Sequence, residues 1–269
     1  DVLTIITNNK TTEMPNEIKR VINTFLLSLL FVLPMNAQEQ AIMIGMGRSS
    51  QLDTYLSPER YTGTEMRIIH NNIITHKGMD FHHEWTQQGS FSKTEPRSEN
   101  AKMLAGEYML KFALYRTWFT DYNLLISLGG AAEAFLGGIY NTRNGNNPAQ
   151  LHTGLNIAPT AKIDYLIELW GRSFWLTYKC SVPLIGTQFS PAYGQSYYEI
   201  FSRGNYDNNI CLAHPFNAPS FTHQLTIDIP LGNNDSAIRV GYFGDIRQSE
   251  LNNLKHNNIT RGIVIGYVY

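Results

Sequence analysis

The sequence predicts an all-β chain folded as a single antiparallel transmembrane β-barrel of about 12 strands, with 10 as the alternative. Three observations carry this expectation. Period-2 alternation of apolar and polar residues recurs along the chain, and no long stretch has helical period. Charged residues make up only 16%, against roughly 25% in soluble domains, while Tyr (15), Phe (13) and Gly (21) are plentiful. Finally, Ile259, Ile263, Ile265, Tyr267 and Tyr269 share one face of the last run. That is an apolar band ending in an aromatic pair, the pattern of a membrane-barrel wall.

Ahead of the strands, Met14 to Ala37 has the layout of a secretory signal peptide. Lys19 and Arg20 form a basic start, Val21 to Leu33 is a mostly apolar stretch of 13 residues, and Pro34-Met35-Asn36-Ala37 offers a cleavage site after Ala37. Thirteen residues fall short of the roughly 20 that a spanning helix needs. Residues 1–13 are expected to be an upstream extension without a fold, and 38–269 to form one barrel domain. Export together with the barrel pattern predicts an outer-membrane location for the mature chain. In that compartment Cys180 and Cys211 leave either a disulfide or two free thiols open.

The strands are justified in order. Ile42, Ile44 and Met46 mark the first, Met66 and Ile68 the second, and Met79, Phe81 and Trp85 the third. Leu104 to Trp118 alternates cleanly, with Leu104, Tyr108, Leu110, Phe112 and Leu114 opposite Glu107, Lys111 and Thr117. In the next run Tyr122, Leu124, Ile126, Leu128 and Leu136 oppose Asn123, Ser127 and Glu133. Leu151, Leu155 and Ile157 oppose His152 and Asn156. Phe174, Leu176, Tyr178 and Cys180 oppose Ser173, Thr177 and Lys179. Phe221, Leu225, Ile227 and Ile229 oppose Thr222, Gln224 and Asp228, and Ile238, Val240 and Tyr242 oppose Arg239. Turn-rich clusters separate the runs, at Asn144 to Pro148, Gly232 to Asp235 and Asn252 to Asn258. The stretch from Ser190 to Ala213 is poorly patterned, and the even-number rule for bacterial barrels favours adding two strands there.

Three segments carry a resemblance. Pro183 to Phe201 (PLIGTQFSPAYGQSYYEIF) resembles a signature of a domain-of-unknown-function family of exported, outer-membrane-type β-barrel proteins from Gram-negative bacteria. Thr54 to Glu65 (TYLSPERYTGTE) and Ile238 to Tyr242 (IRVGY) are similar to it as well. The resemblance implies a fold and a location, and no activity that can be carried onto residues here.

Chemistry is sparse. With the apolar faces turned outward, the lumen is expected to receive Glu65, Arg67, Asp80, Glu84, Glu107, Lys111, Glu133, Lys179, Asp228 and Arg239. Both signs are present, and unpaired buried charge is costly, so these groups should pair across strands and fill the interior. The same groups would line a narrow solute or ion channel if the lumen were open. Ser196, Glu199 and His214, with His223 as a second possible base, are the weak candidates for a membrane-embedded lipid-modifying hydrolase, which needs a base beside its nucleophile. Asp80, His82 and Glu84 alternate on one strand face, about 7 Å apart, and lack the further ligands a metal requires. No cofactor is expected. A net charge of −1 gives no basic footprint for nucleic acid. The expected partners are outer-membrane lipid and an envelope protein.

Overall fold

The computed structural model describes residues 39–269 apart from 76–79, 99, 121, 146 and 233–235. The expected signal peptide and upstream extension lie outside the described residues, as do Met79 and part of the Gly232 to Asp235 turn. Twelve strands and one short helix follow in order: β1 (Glu39–Asp53), β2 (Ser57–Thr75), β3 (Phe81–Pro96), β4 (Met103–Phe119), β5 (Leu124–Asn141), β6 (Ala149–Leu169), β7 (Arg172–Ser181), β8 (Ile185–Phe189), α1 (Tyr197–Phe201), β9 (Ile210–Ala213), β10 (Ser220–Pro230), β11 (Ala237–Leu251) and β12 (Leu254–Val268).

Ten of these close on themselves. The ring runs β1-β2-β3-β4-β5-β6-β7-β10-β11-β12 and returns to β1, with every neighbouring pair antiparallel. The seam between first and last strand is paired along its whole length, from Ala41 opposite Val268 to Asp53 opposite His256. β8 and β9 stand outside the ring, β8 on the early half of β6 and β9 on β8. The count of 12 barrel strands is therefore corrected to 10. At five and four residues, β8 and β9 are well under the 9–11 that a tilted spanning strand needs. Pro159 marks the place on β6 where its partner changes, between Thr160 opposite Ser181 of β7 and Ile157 opposite Ile185 of β8. A residue without an N–H is tolerated where a ladder is interrupted.

Alternation fixes which side chains face in. On β12 Ile263, Ile265, Tyr267 and Tyr269 are exposed while Thr260, Val264 and Val268 are buried. On β1 Ile42, Ile44 and Met46 point out while Met43, Ser49, Gln51 and Asp53 are buried. Apolar residues thus form a belt on the exterior, and much of the interior is polar, the reverse of a soluble domain. The belt has an edge: the outward positions of β1 continue as Arg48 and Ser50, and Arg48 lies opposite outward Arg261.

Gln40 and Tyr269 share one end of the barrel, where Tyr269 N–H donates to the Gln40 carbonyl at 2.8 Å. The opposite end, called here the far mouth, carries the long β7–β10 connection. It also carries the β11–β12 turn, where Asn252 and Asn253 both have positive φ, as a two-residue type I′ hairpin requires. The expected turn over Asn252 to Asn258 is thereby shortened, since the ladder resumes at Leu254.

One inward glycine is a packing necessity. A Cβ on Gly45 would sit 2.8 Å from Arg67 Cγ and 3.2 Å from Phe243 Cε1, where the Arg67 guanidinium lies 3.8 Å over the Phe243 ring. Gly45→Leu should lower stability by about 1–3 kcal/mol through overpacking, whereas Gly89→Ala, with nothing within 4 Å of the new methyl, should not. The temperature at which the compact, fast-migrating gel band of an unheated sample is lost measures both. Equal behaviour of the two variants would contradict this packing.

Candidate functional site: the charged lumen and its far mouth

The ring order decides what each inward side chain can meet. Arg247 on β11 and Glu107 on β4 are five strands apart in either direction around the ring, on opposite walls, and they form an ion pair. Lys179 on β7 reaches Glu84 on β3 at 2.6 Å, four strands away by the shorter route. Along one wall Arg67 pairs with Glu65 and, at 2.6 Å, with Asp245, and Thr260 donates to the other oxygen of Glu65 at 2.7 Å. Lys111 meets Glu133 at 2.9 Å, and Lys162 meets Asp164 at 3.1 Å. Near the terminal end Arg239 grips Asp228 at 2.6 Å and Glu39 at 3.1 Å.

Nine of the ten charges expected inside therefore lie buried or half-buried within this network. The tenth, Asp80, is exposed in the turn ahead of β3, because the strand begins one residue later, at Phe81. It does not converge with His82 and Glu84. His82 Nδ1 is 3.1 Å from the Thr117 hydroxyl and its ring stacks on Tyr115 at 5.1 Å, while Glu84 is taken by Lys179. Sequence reasoning missed Lys162, Asp164, Asp245 and Arg247. Asp245 and Arg247 lie beyond the point where apolar alternation on β11 was legible, although counting every second residue onward from Arg239 reaches both.

Ser196, Glu199 and His214 are placed apart from any catalytic geometry. Ser196 caps α1, its backbone N–H donating to Glu199 Oε2 at 2.7 Å and its hydroxyl accepting from Glu199 N–H at 3.3 Å, a reciprocal capping box. Those hydrogen bonds hold the Glu199 carboxyl below its usual pKa range. His214 sits in the turn after β9, where its Nδ1 accepts from Phe216 N–H at 3.3 Å, and His223 lies on β10. Neither histidine bonds to Ser196. Both cysteines are free thiols.

The segment containing α1 is tied to several parts of the far rim. Asn252 donates to the Ser190 carbonyl at 3.0 Å and the Asn208 carbonyl at 2.9 Å. Tyr55, in the β1–β2 turn, donates to the Gln195 carbonyl at 3.1 Å and meets the Tyr197 ring edge-on at 5.7 Å. The Tyr197 hydroxyl accepts from Leu151 N–H on β6 at 2.6 Å, and burial pushes that phenol upward in pKa. Since β1 and β6 are on opposite walls, residues 190–209 bridge across the mouth.

Beneath this cover, three side chains converge that the sequence reading left unassigned. Asp53 Oδ2 lies 3.0 Å from His152 Nε2 and 3.3 Å from His256 Nδ1, and the two imidazoles stand 4.0 Å apart, centroid to centroid. Asp53 and His256 face each other across the β1–β12 seam, and His152 reaches them from the opposite wall. His152 was on the inward face of its run. Asp53 lay beyond the legible part of β1, and His256 fell within a run of Asn that reads as loop.

The sequence of residues 35–269 matches the family model for "Protein of unknown function (DUF3316)". The chain belongs to the DUF3316 family. No curated protein matches it in sequence. Among solved structures, this DUF3316 barrel is similar to the transport unit of the autotransporter AIDA-I from Escherichia coli, at 12% identity and a TM-score of 0.45, covering 95% of this chain and 98% of that one. It is also similar to the outer membrane protease OmpT from Escherichia coli, at 6% identity and 0.47, covering 89% and 99%. A third similarity is to the translocator domain of the autotransporter NalP from Neisseria meningitidis, at 9% and 0.40, covering 94% and 96%.

Arg67→Met would strand Glu65 and Asp245 as buried carboxylates without their cation. Breaking such a set typically costs about 3–5 kcal/mol, so the folded band should vanish at a markedly lower temperature. Adding Glu65→Gln and Asp245→Asn to the same protein should recover much of the loss. An unchanged Arg67→Met variant would mean that the pairing contributes nothing.

Proposed function

We propose that this DUF3316 protein is an integral outer-membrane β-barrel with a closed lumen, serving as a structural or partner-binding element rather than as a pore. The observation that carries the reading is the combination of an apolar exterior with charges paired across the interior. Exposed Ile44, Ile68, Ile263 and Ile265 (57–69% accessible) form a contiguous patch on neighbouring strands, which water disfavours and hydrocarbon accepts. Arg48 and Arg261 stand at its far edge, where long cationic side chains reach lipid headgroups. Inside, cross-wall pairs such as Arg247–Glu107 and the segment bridging the far mouth occupy the interior, which supports a filled lumen.

Outer-membrane barrels keep short turns on the periplasmic side and longer loops outside. By that rule the end holding Gln40 and Tyr269 faces the periplasm, and the far mouth faces the cell exterior. A partner would therefore meet the β7–β10 segment, with exposed Tyr193, Tyr198, Tyr206 and Phe216.

Purified protein in planar bilayers should add no stepwise conductance, although it is folded by its gel migration. Regular steps altered by Lys111→Gln or Lys179→Gln would contradict the closed lumen and favour a channel. Ile265→Arg should impair insertion by about 2–4 kcal/mol if it sits near mid-bilayer, and Ser50→Arg, beyond the belt, should insert normally. The two variants inserting equally well into lipid vesicles would contradict the membrane assignment of the belt.

A further inference from the structure

The geometry points to a binding site for one divalent transition-metal ion at the far mouth, with Asp53, His152 and His256 as ligands and water in the remaining position. Among the described residues, each of the three offers a ligand atom within 4.8 Å of the others. For a tetrahedral ion held at about 2.0–2.1 Å, neighbouring ligand atoms stand about 3.3 Å apart. The Asp53–His256 separation of 3.3 Å and the Asp53–His152 separation of 3.0 Å fit that edge without movement of the strands.

The carboxylate is presented on one oxygen. Its Oδ1 accepts from Tyr55 N–H at 3.0 Å, so Oδ2 alone faces both imidazoles. Two imidazoles with one carboxylate suit Zn²⁺, Ni²⁺, Cu²⁺ or Fe²⁺, and the absence of a thiolate or a carboxylate cage disfavours Cu⁺ and Ca²⁺. The cavity that they line, closed by Gln188, Ser190 and Leu254, gives the centre of a water-sized sphere about 20 Å³. That is room for about one water, which matches an ion with one aqua ligand. Lys255 also lines this cavity, and its exposed ammonium lies 3.6 Å from Glu250.

The position gives the ion a mechanical consequence. Asp53 and His256 belong to the β1–β12 seam, and His152 to the wall opposite. A metal bond would therefore link the two walls directly beneath residues 190–209. The outward residues at this level lie past Arg48 and Arg261, so the site is beyond the apolar belt, with His152 and His256 half-buried. It does not depend on the lumen being closed.

The test uses the full mature chain in detergent, stripped with chelator and dialysed. Zn²⁺ is titrated in competition with a chromophoric chelator, and Co²⁺ is added separately for its visible absorption. One equivalent should bind with an intense, tetrahedral-type Co²⁺ spectrum, and Zn²⁺ should raise the temperature at which the folded gel band is lost. His152→Gln and His256→Gln keep an N–H donor for Asp53, so the barrel should still fold while affinity falls about 100-fold or more, because even groups that merely orient a metal ligand cost about 10–100-fold. Binding that survives in both folded variants would overturn the site, as would a wild-type protein that binds neither Zn²⁺ nor Co²⁺. Should a variant fail to give the folded band, the wild-type Co²⁺ spectrum decides alone: a weak octahedral spectrum would count against imidazole ligation. Gel migration reports on the barrel and metal titration on the site, so failure of one is distinguishable from failure of the other.

Discussion

Charge pairing across the lumen is the constraint on which the rest of this structure depends. A closed sheet with its apolar residues outside must put the alternate residues inside, whatever they are. Here those residues are carboxylates, lysines and arginines, and an unpaired charge in that setting would be prohibitive. Each finds an opposite charge, in two cases on a distant wall. Arg247–Glu107 and Lys179–Glu84 run across the barrel like struts, and Arg67 joins Glu65 to Asp245 along one wall. Such pairs add little net stability over an apolar core. What they add is register, because a one-residue slip of any strand would turn its charges outward.

The same logic explains why the far mouth is built as it is. Strand pairing ends near there, and the last inward residue of β1 and an inward histidine near the start of β12 meet one from β6. Asp53 is the hinge of that arrangement, with one oxygen held by its own turn and the other offered across the opening. The β7–β10 segment then lies over the mouth, pinned by Asn252 from one wall and by Tyr197 to Leu151 on the other. A long connection is thereby held by hydrogen bonds to its carbonyls, by one backbone N–H donating to its Tyr197 hydroxyl, and by one ring packed on another.

Much of the wall was legible in the sequence, because alternation is a direct print of the pleat. The runs beginning at Leu104, Leu124 and Phe174 face as their side-chain pattern dictates, and so does the closing run to Tyr269, whereas Tyr122 and Asn123 fall in the turn before β5. Strand number was not legible. The poorly patterned residues between Ser190 and Ala213 could be read as two more spanning strands, but they hold only α1 and the four-residue β9, which pairs outside the ring with β8 just before them. Nor was the Asp53–His152–His256 cluster legible. Its members are 99 and 104 residues apart, brought together by ring closure, and His256 lies in a run of Asn whose local signal is a turn.

The central claim is that the lumen is braced by salt bridges between opposite walls, and magic-angle-spinning NMR of the protein in lipid bilayers tests it most directly. Labelled at arginine and glutamate, the protein should show a through-space correlation between the Arg247 guanidinium carbon and the Glu107 carboxyl carbon. The guanidinium protons should also exchange slowly with water. Loss of that correlation, with guanidinium protons exchanging freely, would mean a hydrated lumen with unpaired walls and would contradict the account.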